Sequence, residues 1–182
     1  ACAPFRRLHV CDKNLEQTTH NLLADVFQAA KFEGQSITGY MHNMKNNILL
    51  LVLQCVLCWH EVLQIGDIMR GKDLFIGNNK RDKLEKNLKT DKLENKEAKD
   101  YYKDDAPDFY QLREDWWNNN REMVWYAITC HAGQGAQYFR PTCGSGRDAI
   151  RTPNQCRCGS YKVPTYFDYV PQYLRWFEEW AE

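Results

Sequence analysis

Cysteines are the residues of this chain whose spacing says most about chemistry. Eight of them stand at irregular intervals: Cys2, Cys11, Cys55, Cys58, Cys130, Cys143, Cys156 and Cys158. An even number of cysteines in sequence that also carries glycine and proline favours disulfide bonds and an oxidising compartment. Cys156 and Cys158 are too close in sequence to bridge each other without strain, so we expect each to reach a different partner.

A structural zinc site is the competing use of these cysteines. Zinc ribbons and knuckles usually supply two pairs of thiolates, each pair two to four residues apart, so that each pair wraps the ion. Cys143 with Cys156 and Cys158 does not give that spacing. Reduced cytosolic thiols are the other alternative. The spacing therefore favours disulfides and predicts no metal site.

Catalytic chemistry is not indicated by any motif. Cys130 and His131 are adjacent, whereas a nucleophile and its base normally meet from separate elements, with a third group orienting the base. The sequence has no glycine-rich phosphate loop after a strand and no His-Glu-x-x-His motif. We therefore predict that the chain is not an enzyme and needs no cofactor.

Charge and composition set the broad class. The 182 residues include 24 Lys and Arg against 24 Asp and Glu, and 13% are aromatic. A neutral chain has no overall attraction for nucleic acid, so recognition of an anion has to come from local patches. The aromatic content is enough for a folded core. Residues 1–15 contain no apolar signal sequence, and the chain stops after an aromatic run, which predicts a fragment of a larger protein.

Four helices are predicted to position these groups. The first is capped by Thr18 or Thr19, runs to about Phe32 and stops at Gly34. It turns one apolar face inward: Leu22, Leu23, Val26, Ala29 and Ala30.

The second predicted helix is long. Asp105 caps it, Pro107 lies in its first turn, and it runs through Cys130. Its apolar stripe consists of Phe109, Leu112, Trp116, Met123, Ala127 and Cys130, widened by Trp117, Val124 and Ile128.

The remaining segments complete a mainly α chain with long loops. Residues 131–164 are rich in Gly, Pro and Cys and are predicted to be loop held by disulfides. A third helix restarts at Pro171, with five residues inward: Tyr173, Leu174, Phe177, Trp180 and Ala181. Residues 80–105 are highly charged and are predicted to be a solvated segment. The apolar run 48–59 is too short to cross a bilayer and predicts a buried helix.

Several sequence blocks resemble one family. They include the N-terminal run from Ala1 to Glu16, Ile65-Gly66-Asp67-Ile68, Arg113-Glu114-Asp115-Trp116-Trp117, Cys156-Arg157-Cys158 and the run from Val163 to Trp180. In this order they are similar to the alpha class of Duffy-binding-like domains in Plasmodium falciparum erythrocyte membrane protein 1, the family encoded by var genes. The matching blocks cover roughly half of the chain, far more than a short motif does.

The resemblance implies a disulfide-stapled Duffy-binding-like fold whose third subdomain is missing. Its first block is residues 1–79, its variable charged segment is 80–105, and its helical and Cys-rich block is 106–182. It implies an adhesion module on the extracellular face of the infected erythrocyte, within a membrane-anchored parent protein, with no transmembrane segment in this fragment. The expected disulfide cysteines are Cys2, Cys11, Cys130, Cys143, Cys156 and Cys158.

Two positions depart from the family pattern. Phe27 stands where the family usually has cysteine. The run from Cys58 to Gln64 replaces the family's Leu-Ala-Arg-Ser-Phe-Ala-Asp, and codons for this run, read from their third base, can encode that motif. We therefore predict that residues 48–64 are a frameshifted island, which the coding DNA tests. Such an island is expected to overpack the core and lose contacts. Cys55 is then a chance replacement for a family cysteine at almost the same place.

Two basic clusters are the candidate receptor or glycan sites. Arg6, Arg7 and Lys13, with His9 beside them, form the first, and Arg70, Lys72, Lys80 and Arg81 form the second. Guanidinium groups pair with sulfate or carboxylate through two parallel hydrogen bonds. Structural ion pairs are the alternative use of Arg6 and Arg7.

The partners implied are host erythrocyte or endothelial receptors or sulfated glycans, an adjacent cysteine-rich interdomain region and host antibodies, in cytoadhesion, rosetting and antigenic variation. No nucleic-acid partner is expected. A second hypothesis makes the chain a structural spacer and antigenic decoy that supports a neighbouring adhesive domain.

Overall fold

Three long helices form the framework of the chain. The structure, a computed structural model, describes residues 22–42, 48–74, 101–105, 108–159 and 163–175. Helices α1, α2 and α3 are Leu22–His42, Ile48–Arg70 and Tyr110–Ile128, and short 3-10 turns are Lys103–Asp105, Thr129–His131, Gly146–Asp148 and Phe167–Tyr169. The described ranges contain no β-strand, so the predicted mainly α class is confirmed.

Helix α1 continues past the residue at which it was predicted to stop. Gly34 is buried within the helix, where α1 crosses the backbone of α3 at Ile128. Glycine is needed there because a Cβ atom would lie 2.0 Å from the Ile128 carbonyl oxygen. Val26 and Ala30 are buried as predicted. The proposed caps Thr18 and Thr19 lie outside the described residues.

Helix α2 supplies much of the core. Cys58 and Val62 are each 1% exposed, and the Trp59 ring meets the Trp125 ring of α3 edge to face at 5.3 Å between centroids. The structure therefore accommodates this part of residues 48–64 in the core, where overpacking was expected. The frameshift itself stays a prediction.

The composition of α2 also meets the length and hydropathy needed to cross a membrane. The segment Leu51–Arg70 has a hydropathy of 1.3, and it is the one such helix in the described part of the chain. However, 44% of that segment is buried inside the fold, and the core helix of a soluble protein passes the same test.

Helix α3 begins later than predicted, and its buried face includes Trp117, Val124 and Ile128, which widened the predicted stripe. It starts at Tyr110, after Phe109 in a left-handed conformation with φ 54°. Asp105 still contributes to capping, since its carboxylate accepts a 2.9 Å hydrogen bond from the Leu112 backbone N–H. Met123, placed in the predicted stripe, is 54% exposed. The buried face consists of Arg113, Trp117, Arg121, Val124, Trp125 and Ile128, because α3 packs against α1, α2 and the segment around residue 168 at once.

The loop after α3 is held by two disulfides. Cys143 bonds to Cys158 and Cys55 bonds to Cys156, with Cα atoms 5.3 and 5.4 Å apart. Cys156 and Cys158 thus reach two different partners, as their spacing predicts. An antiparallel bridge between Cys143 and Ile150 closes the tip of the loop.

The cysteine candidates need two corrections. Cys55, left outside the predicted set, is bonded because α2 brings it to Cys156. Cys130, inside that set, has a free thiol. Cys2 and Cys11 lie outside the described residues.

The C-terminal segment is also corrected. Residues 172–175 are helical, but Tyr173 and Leu174 are 58% and 44% exposed, and Gln172 is the buried residue. The Gln172 amide oxygen accepts a 2.7 Å hydrogen bond from the Leu74 backbone N–H, which fixes this face inward. Phe177, Trp180 and Ala181 lie outside the described residues.

Candidate functional site

Arg70 is a structural residue and not a free cation. Its side chain is 2% exposed. Nε donates to the Gly66 carbonyl at 3.1 Å, and Nη2 donates to Asp67 Oδ1 at 3.3 Å and to the Asp168 carbonyl. These contacts occupy its guanidinium in the interior, so the prediction that Arg70 binds a receptor or glycan is wrong.

Of the two members of the second predicted cluster that the structure describes, Lys72 is the exposed one. Its side chain is 55% exposed, and Nζ lies 2.6 Å from Glu114 Oε2. Its charge is thus partly neutralised by a neighbour on α3. The other predicted cations lie outside the described residues: Arg6, Arg7, Lys13, Lys80 and Arg81. They stay predictions.

We expect the Lys72→Ala substitution to lower the free energy of unfolding by less than about 1 kcal/mol. An exposed ion pair gains little in water, and salt screens it. Urea denaturation at low and high salt measures the difference. A loss above 2 kcal/mol would show that the Lys72–Glu114 pair supports the fold.

A buried carboxylate organises the ion network beneath this surface. Asp168 is fully buried, and its Oδ2 accepts hydrogen bonds from Trp117 Nε1 at 2.9 Å and from Arg121 Nε at 2.8 Å. Oδ1 accepts from Arg121 Nη2 at 2.7 Å. Both carboxylate oxygens thus have a donor on α3. The Asp168–Arg121 charge pair therefore joins α3 to the segment 163–175.

A second buried carboxylate, Asp67, lies between Arg70 and Arg175. Burial raises the pKa of Asp67, and the charges of Arg175 and Arg70 act in the opposite direction. The two arginines therefore offset the cost of placing this carboxylate in the interior. Sequence reasoning missed this role because Arg70 was assigned to a basic surface cluster and Arg175 was assigned no role.

Three exposed arginines lie on the disulfide-held loop. Arg140, Arg147 and Arg151 are all exposed, and Asp148 is the one acidic residue between Arg140 and Arg157. We call residues 139–151 the arginine loop. The Cys143–Cys158 disulfide and the bridge from Cys143 to Ile150 fix its backbone. The sequence pattern that could have identified this loop is its three arginines with a single acidic residue among them.

An open groove lies between α1 and α3, next to Arg157. Its volume is about 530 Å³, and its lining is Phe27, Gln28, Lys31, Phe32, Gln35, Met123, Tyr126 and Ala127. The Arg157 guanidinium stacks over the Tyr126 ring at 3.6 Å from the centroid. Phe27, which replaces a family cysteine, therefore forms part of an aromatic surface.

The described residues give no arrangement for metal chemistry. Within them, no group of three or more His, Cys, Asp or Glu side chains is placed to hold a metal ion. The surface features are instead exposed arginines and aromatic rings on a rigid helical frame. That combination suits recognition of an anionic or amphipathic surface.

A cysteine-bridged helical domain with this exposed loop falls in the class of helical binding modules. The family model for the Duffy binding domain matches residues 1–175. The chain therefore belongs to the Duffy binding domain family. No curated protein sequence gives a significant match.

Two solved structures from Plasmodium falciparum, both from the varO strain, are similar to the whole chain. One is the NTS-DBL1-alpha and CIDR-gamma double domain of PfEMP1, with 39% identity and a TM-score of 0.74. The other is the NTS-DBL1(alpha-1) domain of PfEMP1, with 38% identity and a TM-score of 0.72. The chain spans 28% and 43% of those chains respectively. The predicted likeness to the alpha class of PfEMP1 domains is confirmed.

Proposed function

We propose that this chain is a host-cell adhesion module that binds anionic groups on a surface receptor or sulfated glycan through the arginine loop. The observation that carries the proposal is the exposure of Arg140, Arg147 and Arg151 on one disulfide-held loop. Family membership supports the general role of adhesion.

Charge chemistry supports the choice of ligand. Arginine binds sulfate and carboxylate through paired N–H groups, and a fixed loop loses little conformational freedom when it binds. The neutral net charge of the chain means that binding depends on this local cluster.

The setting of the module follows from its relatives. One solved relative joins a DBL1-alpha domain to a CIDR-gamma domain. By analogy, this chain belongs to a parent protein on the surface of the infected erythrocyte. There it lies beside a cysteine-rich interdomain region and is exposed to host antibodies. Rosetting and cytoadhesion are the proposed activities of that parent protein.

Binding to immobilised heparin tests the arginine loop. We expect the triple substitution Arg140→Ala, Arg147→Ala and Arg151→Ala to weaken binding at least tenfold, which corresponds to about 1.4 kcal/mol. The dependence of binding on salt should fall as well, because fewer charge contacts are screened. Surface plasmon resonance with heparin and with desulfated heparin measures both effects.

A matched control removes the same charge elsewhere. Lys31, Lys72 and Lys103 are exposed, and their triple alanine variant also lowers the net charge by three. We expect this control to bind within twofold of the unsubstituted chain. Equal losses in the two variants would show non-specific attraction. If the unsubstituted chain does not bind heparin or host cells, the spacer and decoy hypothesis is favoured instead.

A further inference from the structure

Two free thiols lie at the contact between α2 and the end of α3. Cys58 is 1% exposed, and Cys130 is half-buried in the turn Thr129–His131. Neither belongs to the two disulfides that hold the loop. Cys58 comes from the segment that departs from the family pattern, so a family comparison does not assign it a partner.

The contacts between α2 and α3 show where Cys130 lies. The helices run antiparallel, since Gly66 lies against the Trp117 ring and Trp59 meets Trp125 about two turns further on. Next in this register, Cys58 Sγ lies 3.9 Å from the Ile128 carbonyl oxygen.

The register continues beyond the end of α3. The Gly133 backbone N–H donates to the Gln54 side-chain oxygen at 3.2 Å. Residues 128–133 therefore follow α2 from Cys58 back to Gln54, and Cys130 lies within that stretch. Cys130 therefore lies next to the turn of α2 that carries Cys58.

We propose that Cys58 and Cys130 form a third disulfide, joining α2 to α3, when the chain meets a low-molecular-weight disulfide such as oxidised glutathione. The reaction takes two exchange steps. The Cys130 thiolate attacks the small disulfide, forming a mixed disulfide and releasing one small thiol. The Cys58 thiolate then attacks the Cys130 sulfur, forming the Cys58–Cys130 bond and releasing the second small thiol. Two protein thiols are oxidised, one small disulfide is reduced, and the two protons end on the two released thiols.

The order of these steps follows from exposure and thiolate availability. Cys130 is partly accessible to a small disulfide, whereas Cys58 is not. Burial, together with the nearby Glu61 and Cys130, raises the pKa of Cys58 to about 12. Cys58 is therefore a poor first nucleophile, and it attacks second, once Cys130 in the adjoining turn carries the mixed disulfide.

Peptide mapping of the folded chain tests the proposal. The chain is incubated with oxidised glutathione, alkylated, unfolded and digested without reductant by chymotrypsin, which can cleave after Leu57 and so separates Cys55 from Cys58. We expect a linked peptide pair containing Cys58 and Cys130, which disappears on reduction. The Cys58→Ser variant should stop at a glutathione adduct on Cys130.

Three results would overturn the proposal. Cys130 of the unsubstituted chain could stop at the glutathione adduct, it could be linked to Cys2, Cys11 or Cys55 instead, or Cys58 could remain fully alkylatable after unfolding. The central measurement uses the unsubstituted chain, so it does not depend on the folding of a variant. It is also independent of heparin binding by the arginine loop.

Discussion

The Asp168→Ala substitution is expected to lower the free energy of unfolding by about 3–5 kcal/mol. Asp168 is fully buried and accepts hydrogen bonds from Trp117 and from two nitrogens of Arg121. Removing the carboxylate leaves the guanidinium of Arg121, a residue that is 6% exposed, without its counter-charge in the interior. Breaking a buried pair in this way costs far more than losing an exposed one.

Denaturation followed by tryptophan fluorescence measures this effect, because Trp117 contacts the substituted site. Asp148 is the matched control, since it is an exposed aspartate in the arginine loop. Asp148→Ala should change the stability by no more than about 0.5 kcal/mol. Similar small losses in both variants would show that the Asp168–Arg121 pair does not support the fold.

The Gly34→Ala substitution is expected to destabilise the chain by about 3 kcal/mol. The added Cβ would lie 2.0 Å from the Ile128 carbonyl oxygen and 2.9 Å from its carbon. These are backbone atoms of α3, so they cannot move aside as a flexible side chain can. The helices have to separate, which loosens the contacts around Val124 and Ile128.

Gly39 is a matched control in the same helix. A Cβ there meets nothing within 4 Å, so Gly39→Ala should stabilise the chain by up to about 1 kcal/mol through the higher helix propensity of alanine. Thermal unfolding of the two variants should thus shift in opposite directions. A Gly34→Ala variant as stable as the unsubstituted chain would contradict the close crossing of α1 and α3.

Local patterns predicted the helical segments well and their ends poorly. Apolar spacing located parts of α1 and α3, and Asp105 was recognised as a capping residue. Gly34 was taken as a helix stop, because glycine is a frequent helix terminator. Whether a glycine ends a helix or admits a neighbouring backbone depends on what packs against it, and that neighbour is 94 residues away in sequence.

The candidate site shows the same contrast between what local sequence patterns predict and what tertiary packing decides. Arg70 and Lys72 are two residues apart and look alike in the sequence, yet one is buried against Asp67 and the other is exposed. Arg70 lies in the last turn of α2, whereas Lys72 lies beyond the end of that helix. A charged residue is buried only where a carboxylate, here Asp67, can pair with it.

By itself, the sequence determined the mainly α class, the family and the use of cysteines for disulfides, because these depend on composition, local periodicity and residue order. The tertiary structure alone decided that Cys55 pairs with Cys156, that Arg70 is interior and that the arginine loop presents three exposed arginines. Disulfide pairing and burial depend on which segments meet in space. In this chain, those segments come from α2, α3 and the loop that follows α3.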